Sequence, residues 1–156
     1  MGSRALRELR GSTLRVLGAI VCAFALAPAC SAISPEVGDR VGPCNNADSN
    51  PNATVDFVKD IRPLMGGAHG NPPCKTCHLP GLQGTVESGL EVSSLGKIRA
   101  EGVVVPKSPC DSTLIKKLRG IGNGARMPKN GPYWTEADIQ LVSDWIAEGA
   151  QGKDED

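Results

Sequence analysis

The residues best suited to chemistry fall in one short segment, Cys74-Lys75-Thr76-Cys77-His78. Two thiols three positions apart, with an imidazole next to the second, form the Cys-x-x-Cys-His pattern that attaches a c-type haem. The spacing follows from the chemistry. The thiols add to the two vinyl groups of one porphyrin as thioethers. The adjoining imidazole is then held beneath the ring with a nitrogen on the iron. Cys74 and Cys77 are the expected attachment points, and His78 is the expected proximal ligand. Two other chemistries use paired cysteines. A thioredoxin-like redox pair belongs at a strand-to-helix junction, whereas this pair follows a Pro72-Pro73 loop. A zinc site needs a fourth ligand, for which His69 is the near one.

An electron-carrying haem iron takes a sixth ligand, and Met65, His69 and Met127 are available. Met127 stands in Gly124-Ala-Arg-Met-Pro-Lys-Asn-Gly131, a glycine-rich loop ahead of the last helical pattern. Pro128 stiffens the backbone beside its sulfur. Met65 and His69 lie nine and five residues before Cys74, on the side already committed to attachment. Met127 is therefore the expected distal ligand, with His69 as the bis-histidine alternative. A thioether there favours ferrous iron and raises the reduction potential relative to a second histidine.

These residues need helices to hold them. A first helix is expected from Thr54, with Phe57, Ile61 and Leu64 on one face and Val58 beside them. Pro63 should end or kink it. Residues 66–84 carry five glycines and three prolines and read as loop. A second short helix is expected from an Asp111 or Ser112 cap to Gly120. The last helix is the clearest: Thr135 can cap it, and Asp138 stands in the capping-box position three residues on. Ile139, Val142, Trp145 and Ile146 then form a stripe up to Gly149. Val103-Val104-Val105 is a short extended run stopped by Pro106, and no strand alternation or internal repeat is visible. The expected fold class is all-α with long loops.

The N-terminus reads as an address. Arg4, Arg7, Arg10 and Arg15 precede an unbroken apolar run, Val16–Ala27. A basic start, a short apolar segment and small residues at the exit mark an export signal, and twelve apolar residues are too few for a bilayer span of about 20. Ala27-Pro28-Ala29-Cys30 resembles a lipobox, with Leu26 one position early. Cys30 is thus the expected lipidation site, and cleavage after Ala29 without lipid is the alternative. Two acyl chains would anchor the chain stably where one would not. The domain plan is a signal over 1–29, a flexible Ser/Pro/Asn/Gly-rich tether over 30–53, the folded domain over 54–151, and an acidic tail over 152–156. Location on the periplasmic side of a bacterial envelope follows.

Export changes the charge arithmetic. The full chain of 156 residues carries 17 basic and 17 acidic side chains, a balance that excludes a dedicated nucleic-acid binder. Without residues 1–29, four arginines and Glu8 are gone, leaving 13 basic against 16 acidic side chains and a net charge of −3. Of the six cysteines, Cys22 leaves with the signal, Cys30 is the lipid site, and Cys74 and Cys77 hold haem. Cys44 and Cys110 remain. In an oxidising compartment they are expected to form a disulfide, the alternative being two free thiols. The chain has only five aromatic residues, Phe24, Phe57, Tyr133, Trp134 and Trp145. One covalently held porphyrin would supply the flat apolar bulk that the core lacks.

The order of these features resembles a known family. Val55-Asp-Phe-Val-Lys-Asp-Ile-Arg-Pro-Leu64 precedes Cys-x-x-Cys-His. Gly89-Leu-Glu-Val-Ser-Ser94, Val104-Val-Pro106, a Ser112-x-Leu114 segment, Arg126-Met-Pro128 and Trp145-Ile-x-x-Gly-Ala150 follow. Over about residues 54–151 this is similar to the small class I c-type cytochromes, in particular the planctomycete-type cytochrome c domains of bacterial envelope proteins. The resemblance implies an all-α cytochrome c-like fold whose first and last helices cross, bringing Phe57 near Trp145 in the core. It implies one covalent haem c, and redox proteins as partners. Gly66-Gly-Ala-His-Gly-Asn-Pro-Pro73 is longer than expected in that family, which keeps His69 in view. The expected function is single-electron transfer rather than catalysis. A haem-based sensor or a subunit of a larger oxidoreductase is the alternative.

Overall fold

The computed structural model describes residues 42–153. The export signal, Cys30, the early tether and Asp154–Asp156 lie outside the described residues. Within them the chain is helical, with no strand. Five α-helices follow in order: α1 Arg62–Met65, α2 Gln83–Ser88, α3 Leu95–Ala100, α4 Thr113–Arg119 and α5 Glu136–Ala147. Single 3₁₀ turns lie at Asn46–Asp48, Ala68–Gly70, Cys74–Thr76 and Pro109–Asp111. No helix among the described residues is long and apolar enough to cross a membrane.

The first helical stretch starts later than Thr54 and passes through Pro63. Thr54 has φ 63° and precedes the helix. Asp56 is the cap, its carboxylate accepting from the Val58 and Lys59 amides. Phe57–Ile61 then forms a π turn, in which the Arg62 N–H reaches the Phe57 carbonyl. A regular helix would need an N–H from Pro63 and would press its ring on the carbonyl four residues back. The wider turn places Pro63 at the start of α1, where a missing donor costs little. Phe57, Ile61 and Leu64 all turn inward as the spacing predicted, and Met65 joins them.

The long helix α5 is the centre of the core. Thr135 caps it by accepting from the Asp138 amide. Ile139, Val142, Trp145 and Ile146 are fully buried. Trp145 meets Phe57 with ring centroids 5.4 Å apart at 36°, a tilted contact worth about 1 kcal/mol beyond area burial. Leu95 and Ile98 of α3 and Ile115 and Leu118 of α4 complete the cluster. Helix α4 ends as expected at Gly120, with φ 70°. Its cap residue Ser112 leaves the helix amides alone: its Oγ accepts from the Val105 N–H at 2.8 Å and donates to Ser108 O at 3.0 Å. The hydroxyl thus fastens the preceding loop.

The tether is shorter than the sequence implied. Residues from Cys44 onward are held on the domain. The Asn50 N–H donates to Asp144 Oδ1 at 2.7 Å, Gln140 Nε2 to Asp48 O at 3.0 Å, and the Cys110 N–H to Asn46 Oδ1 at 2.8 Å. The Glu148 carboxylate accepts from the Thr54 and Val55 amides. Polar composition read as mobility because each of these bonds joins residues more than 60 positions apart.

Candidate cofactor site

Pro73, in extended conformation, feeds the single turn Cys74–Thr76. The Cys74 carbonyl then accepts from both the Cys77 N–H at 3.1 Å and the His78 N–H at 2.9 Å. One tight turn therefore carries both thiols and the imidazole. Cys77 is exposed, while Cys74 packs against the core. Burial pushes the Cys74 thiol up to about 11; a backbone hydrogen bond works against the rise and the charge of Cys77 adds to it. A redox-active cysteine needs a lowered value and an available thiolate. Cys74 is tuned the opposite way, and the strand-to-helix junction of a thioredoxin-like pair is missing, since no strand occurs among the described residues.

His78 is oriented by the segment that follows α2. Its Nδ1–H donates to Leu90 O at 3.2 Å, and its own carbonyl accepts from the Val92 N–H at 2.9 Å. A backbone carbonyl on Nδ1 fixes the tautomer and leaves Nε2 with a lone pair, the arrangement of a metal-ligating histidine. Helix α2 closes the other side. The Thr85 N–H donates to Cys77 O at 3.2 Å. Gly84 lies so close that a Cβ there would stand 2.7 Å from Cys77 O.

Met127 and Met65 occupy different environments. Met65 is a core residue at 3% exposure. Met127 is half-buried in the loop between α4 and α5, and its N–H donates to Lys117 O at 2.8 Å. Next to it, Arg126 Nε–H donates to Leu118 O at 2.9 Å, and the guanidinium lies 4.1 Å over the Tyr133 ring. Desolvation lowers Arg126 from its usual value, opposed by Tyr133 and Glu136.

His69 is tied into a polar cluster at the start of α5. Its Nδ1–H donates to Asp138 Oδ1 at 2.6 Å. Asn71 Nδ2 and Thr135 Oγ1 donate to Asp138 Oδ2 at 3.1 and 2.8 Å. Burial alone would raise the Asp138 carboxyl, but the bonds from His69, Thr135 and Asn71 outweigh it and hold the group below its ordinary value. The sequence placed Asp138 in a capping box, where it would reach the Thr135 backbone. It takes the Thr135 hydroxyl instead and clamps the 66–73 loop to α5. Only Nε2 of His69 is left for a ligand. Among the described residues no group of three or more His, Cys, Asp and Glu gathers to hold a metal ion, and a structural zinc needs four ligands.

Among the described residues, two buried donors lack an acceptor: Arg119 Nε and Trp134 Nε1. Arg119 ends α4 and Trp134 precedes the α5 cap, so the two bracket the Met127 loop in sequence. An unmet buried donor costs about 1–3 kcal/mol. The chemistry of the turn fits a covalent haem: two thiols three positions apart and an adjoining imidazole whose Nδ1 is held on Leu90 O.

Cys44 and Cys110 are joined in a disulfide with a Cα–Cα distance of 5.5 Å and a sequence separation of 66. No family model, curated protein or solved structure matches the chain. Sequence reasoning missed Leu90 and Gly84. Gly84 could have been singled out as a glycine inside a helix-competent stretch. Leu90 acts through its backbone and leaves no signal in residue type.

Proposed function

We propose that the chain is a monohaem c-type cytochrome that carries single electrons, with the cytochrome c-like fold of the class I family its motifs resemble. The observation that carries this reading is the Cys74–His78 turn with Nδ1 of His78 held on Leu90 O. Cys74 and Cys77 would hold the haem as thioethers, His78 Nε2 would be the proximal ligand, and Met127 the distal one. Bound haem supplies a one-electron couple between ferric and ferrous iron. The protein's share is to fix the ligands. Leu90 sets the imidazole, and α2 backs Cys77 through Gly84. The Phe57–Trp145 contact is what crossing terminal helices would produce, which supports the family reading.

The chain is read as a carrier rather than an enzyme. His69 and Asp138, joined by a hydrogen bond at 2.6 Å, serve to clamp a loop to a helix. Its partners are then redox proteins. We place it on the periplasmic side of a bacterial envelope, lipid-anchored through Cys30. The arginine-rich start and apolar run support export, and a Cys44–Cys110 disulfide suits an oxidising compartment.

The test is a reduced-minus-oxidised spectrum of protein matured with a c-haem assembly system, read together with the ferric near-infrared band. A c-type spectrum with a thioether–iron band that is lost in Met127→Ala is expected. A bis-histidine spectrum overturns Met127 as ligand. A ferrous form that binds carbon monoxide readily favours a sensor instead.

A further inference from the structure

We infer that Arg126 is the positioning residue that sets Met127 in place, bracing its loop against the last turn of α4. The inference rests on the reading of Met127 as an iron ligand, although the brace itself is a property of the polypeptide. The loop from Gly120 to Trp134 contains no helix, and Gly120, Gly122, Gly124 and Gly131 all have positive φ. Left alone, such a segment has many conformations. Two consecutive residues fasten it to two consecutive carbonyls. Arg126 Nε–H donates to Leu118 O at 2.9 Å, and the Met127 N–H donates to Lys117 O at 2.8 Å. These carbonyls belong to the end of α4, where a cation is favoured; Lys117 O also takes the Gly120 N–H at 3.3 Å, so it accepts twice.

The far end of Arg126 is fixed as well. Its guanidinium lies 4.1 Å over Tyr133, so one side chain joins α4 to the segment that leads into α5. Its stem runs over Gly120. A Cβ at Gly120 would lie 2.8 Å from Arg126 Cδ and 3.0 Å from Cγ. Gly120 is thus glycine for two reasons: φ 70° at the end of the helix and room for the arginine stem. Lysine would not serve here, because the site uses Nε and a flat cation at once. With both ends of Arg126 held, the Met127 backbone is pinned beside the last turn of α4.

The test uses the chain with and without haem, and variants Arg126→Gln and Tyr133→Leu. In haem-free protein the exchange rate of the Met127 amide hydrogen is measured, with Trp145 of α5 as the internal reference. The brace predicts that Met127 exchanges about tenfold faster in Arg126→Gln, that Tyr133→Leu moves it the same way, and that Trp145 is unaltered. In haem-loaded protein the near-infrared band weakens in both variants and persists at wild-type strength in neither. Unchanged Met127 exchange in both variants overturns the inference. So does an intact band in the loaded variants when wild type shows one. If loaded wild type itself lacks the band, the ligand reading has failed, and the Met127 exchange rate alone decides the brace. If Arg126→Gln loses its helical circular dichroism, Tyr133→Leu decides.

Discussion

Replacing Cys44 and Cys110 by serine should cost this domain a large part of its stability. The bridge spans a sequence separation of 66, and cross-linking over a loop of that length removes about 4 kcal/mol of denatured-chain entropy. The folded state gains further order from the bridge. It holds the 44–53 segment where the Asn50 N–H meets Asp144 and Gln140 meets Asp48 O. The assay is urea unfolding of the chain from Ser31 onward, native against Cys44→Ser/Cys110→Ser. With an m-value of about 1.5 kcal/mol/M, the midpoint should fall by about 2.7 M. In haem-loaded protein the thioethers block Cys74 and Cys77, so mass spectrometry should find two alkylatable thiols after reduction and none before. A midpoint shift below about 0.7 M, or two alkylatable thiols without reduction, would refute the reasoning.

Changes at two further positions test the site's supports. Asp138→Ala strands the buried Asn71 amide and frees the 66–73 loop, and should destabilise by about 3 kcal/mol in urea titration; a loss under about 1 kcal/mol would count against the clamp. The Asp138 carboxyl is held below its ordinary value. Its contribution is therefore complete above that ordinary range and lost as pH falls through the folded-state value. Asp138→Asn should accordingly show a shallower acid limb of stability against pH, and an unchanged limb would contradict the assignment. Gly84→Ala should destabilise by about 1–3 kcal/mol, because the added Cβ meets Cys77 O at 2.7 Å. In an open helix the same change would stabilise by about 1 kcal/mol, so a more stable variant would show that α2 does not press on the turn.

The parts legible in the sequence are those set by side-chain type at short range. The α5 stripe of Ile139, Val142, Trp145 and Ile146 repeats every three to four residues, and each is buried. Gly120 stops α4 because a positive φ favours glycine. The Cys74–His78 spacing places both thiols and the imidazole on one short segment, and the structure folds that segment into a single tight turn. Other features depend on partners far along the chain. Ser112 sits at a helix cap, yet its hydroxyl serves Val105 and Ser108. Helices α2 and α3 leave no periodic signal in the sequence. Each spans six residues, too few to show periodicity. The early helix signal at Thr54 failed because Glu148, more than 90 residues on, takes the Thr54 and Val55 amides. His69 looked like a spare ligand because Asp138, 69 residues on, could not be paired with it from sequence.

The central claim is that one haem is covalently held by this chain through Cys74 and Cys77. Intact mass under denaturing conditions, after expression with a c-haem assembly system, tests it most directly. The account predicts a mass increased by one haem that survives unfolding and organic extraction, with Cys74 and Cys77 unavailable to alkylation and the increase abolished in Cys74→Ala/Cys77→Ala. An unmodified mass, with both thiols free to alkylate, would contradict it.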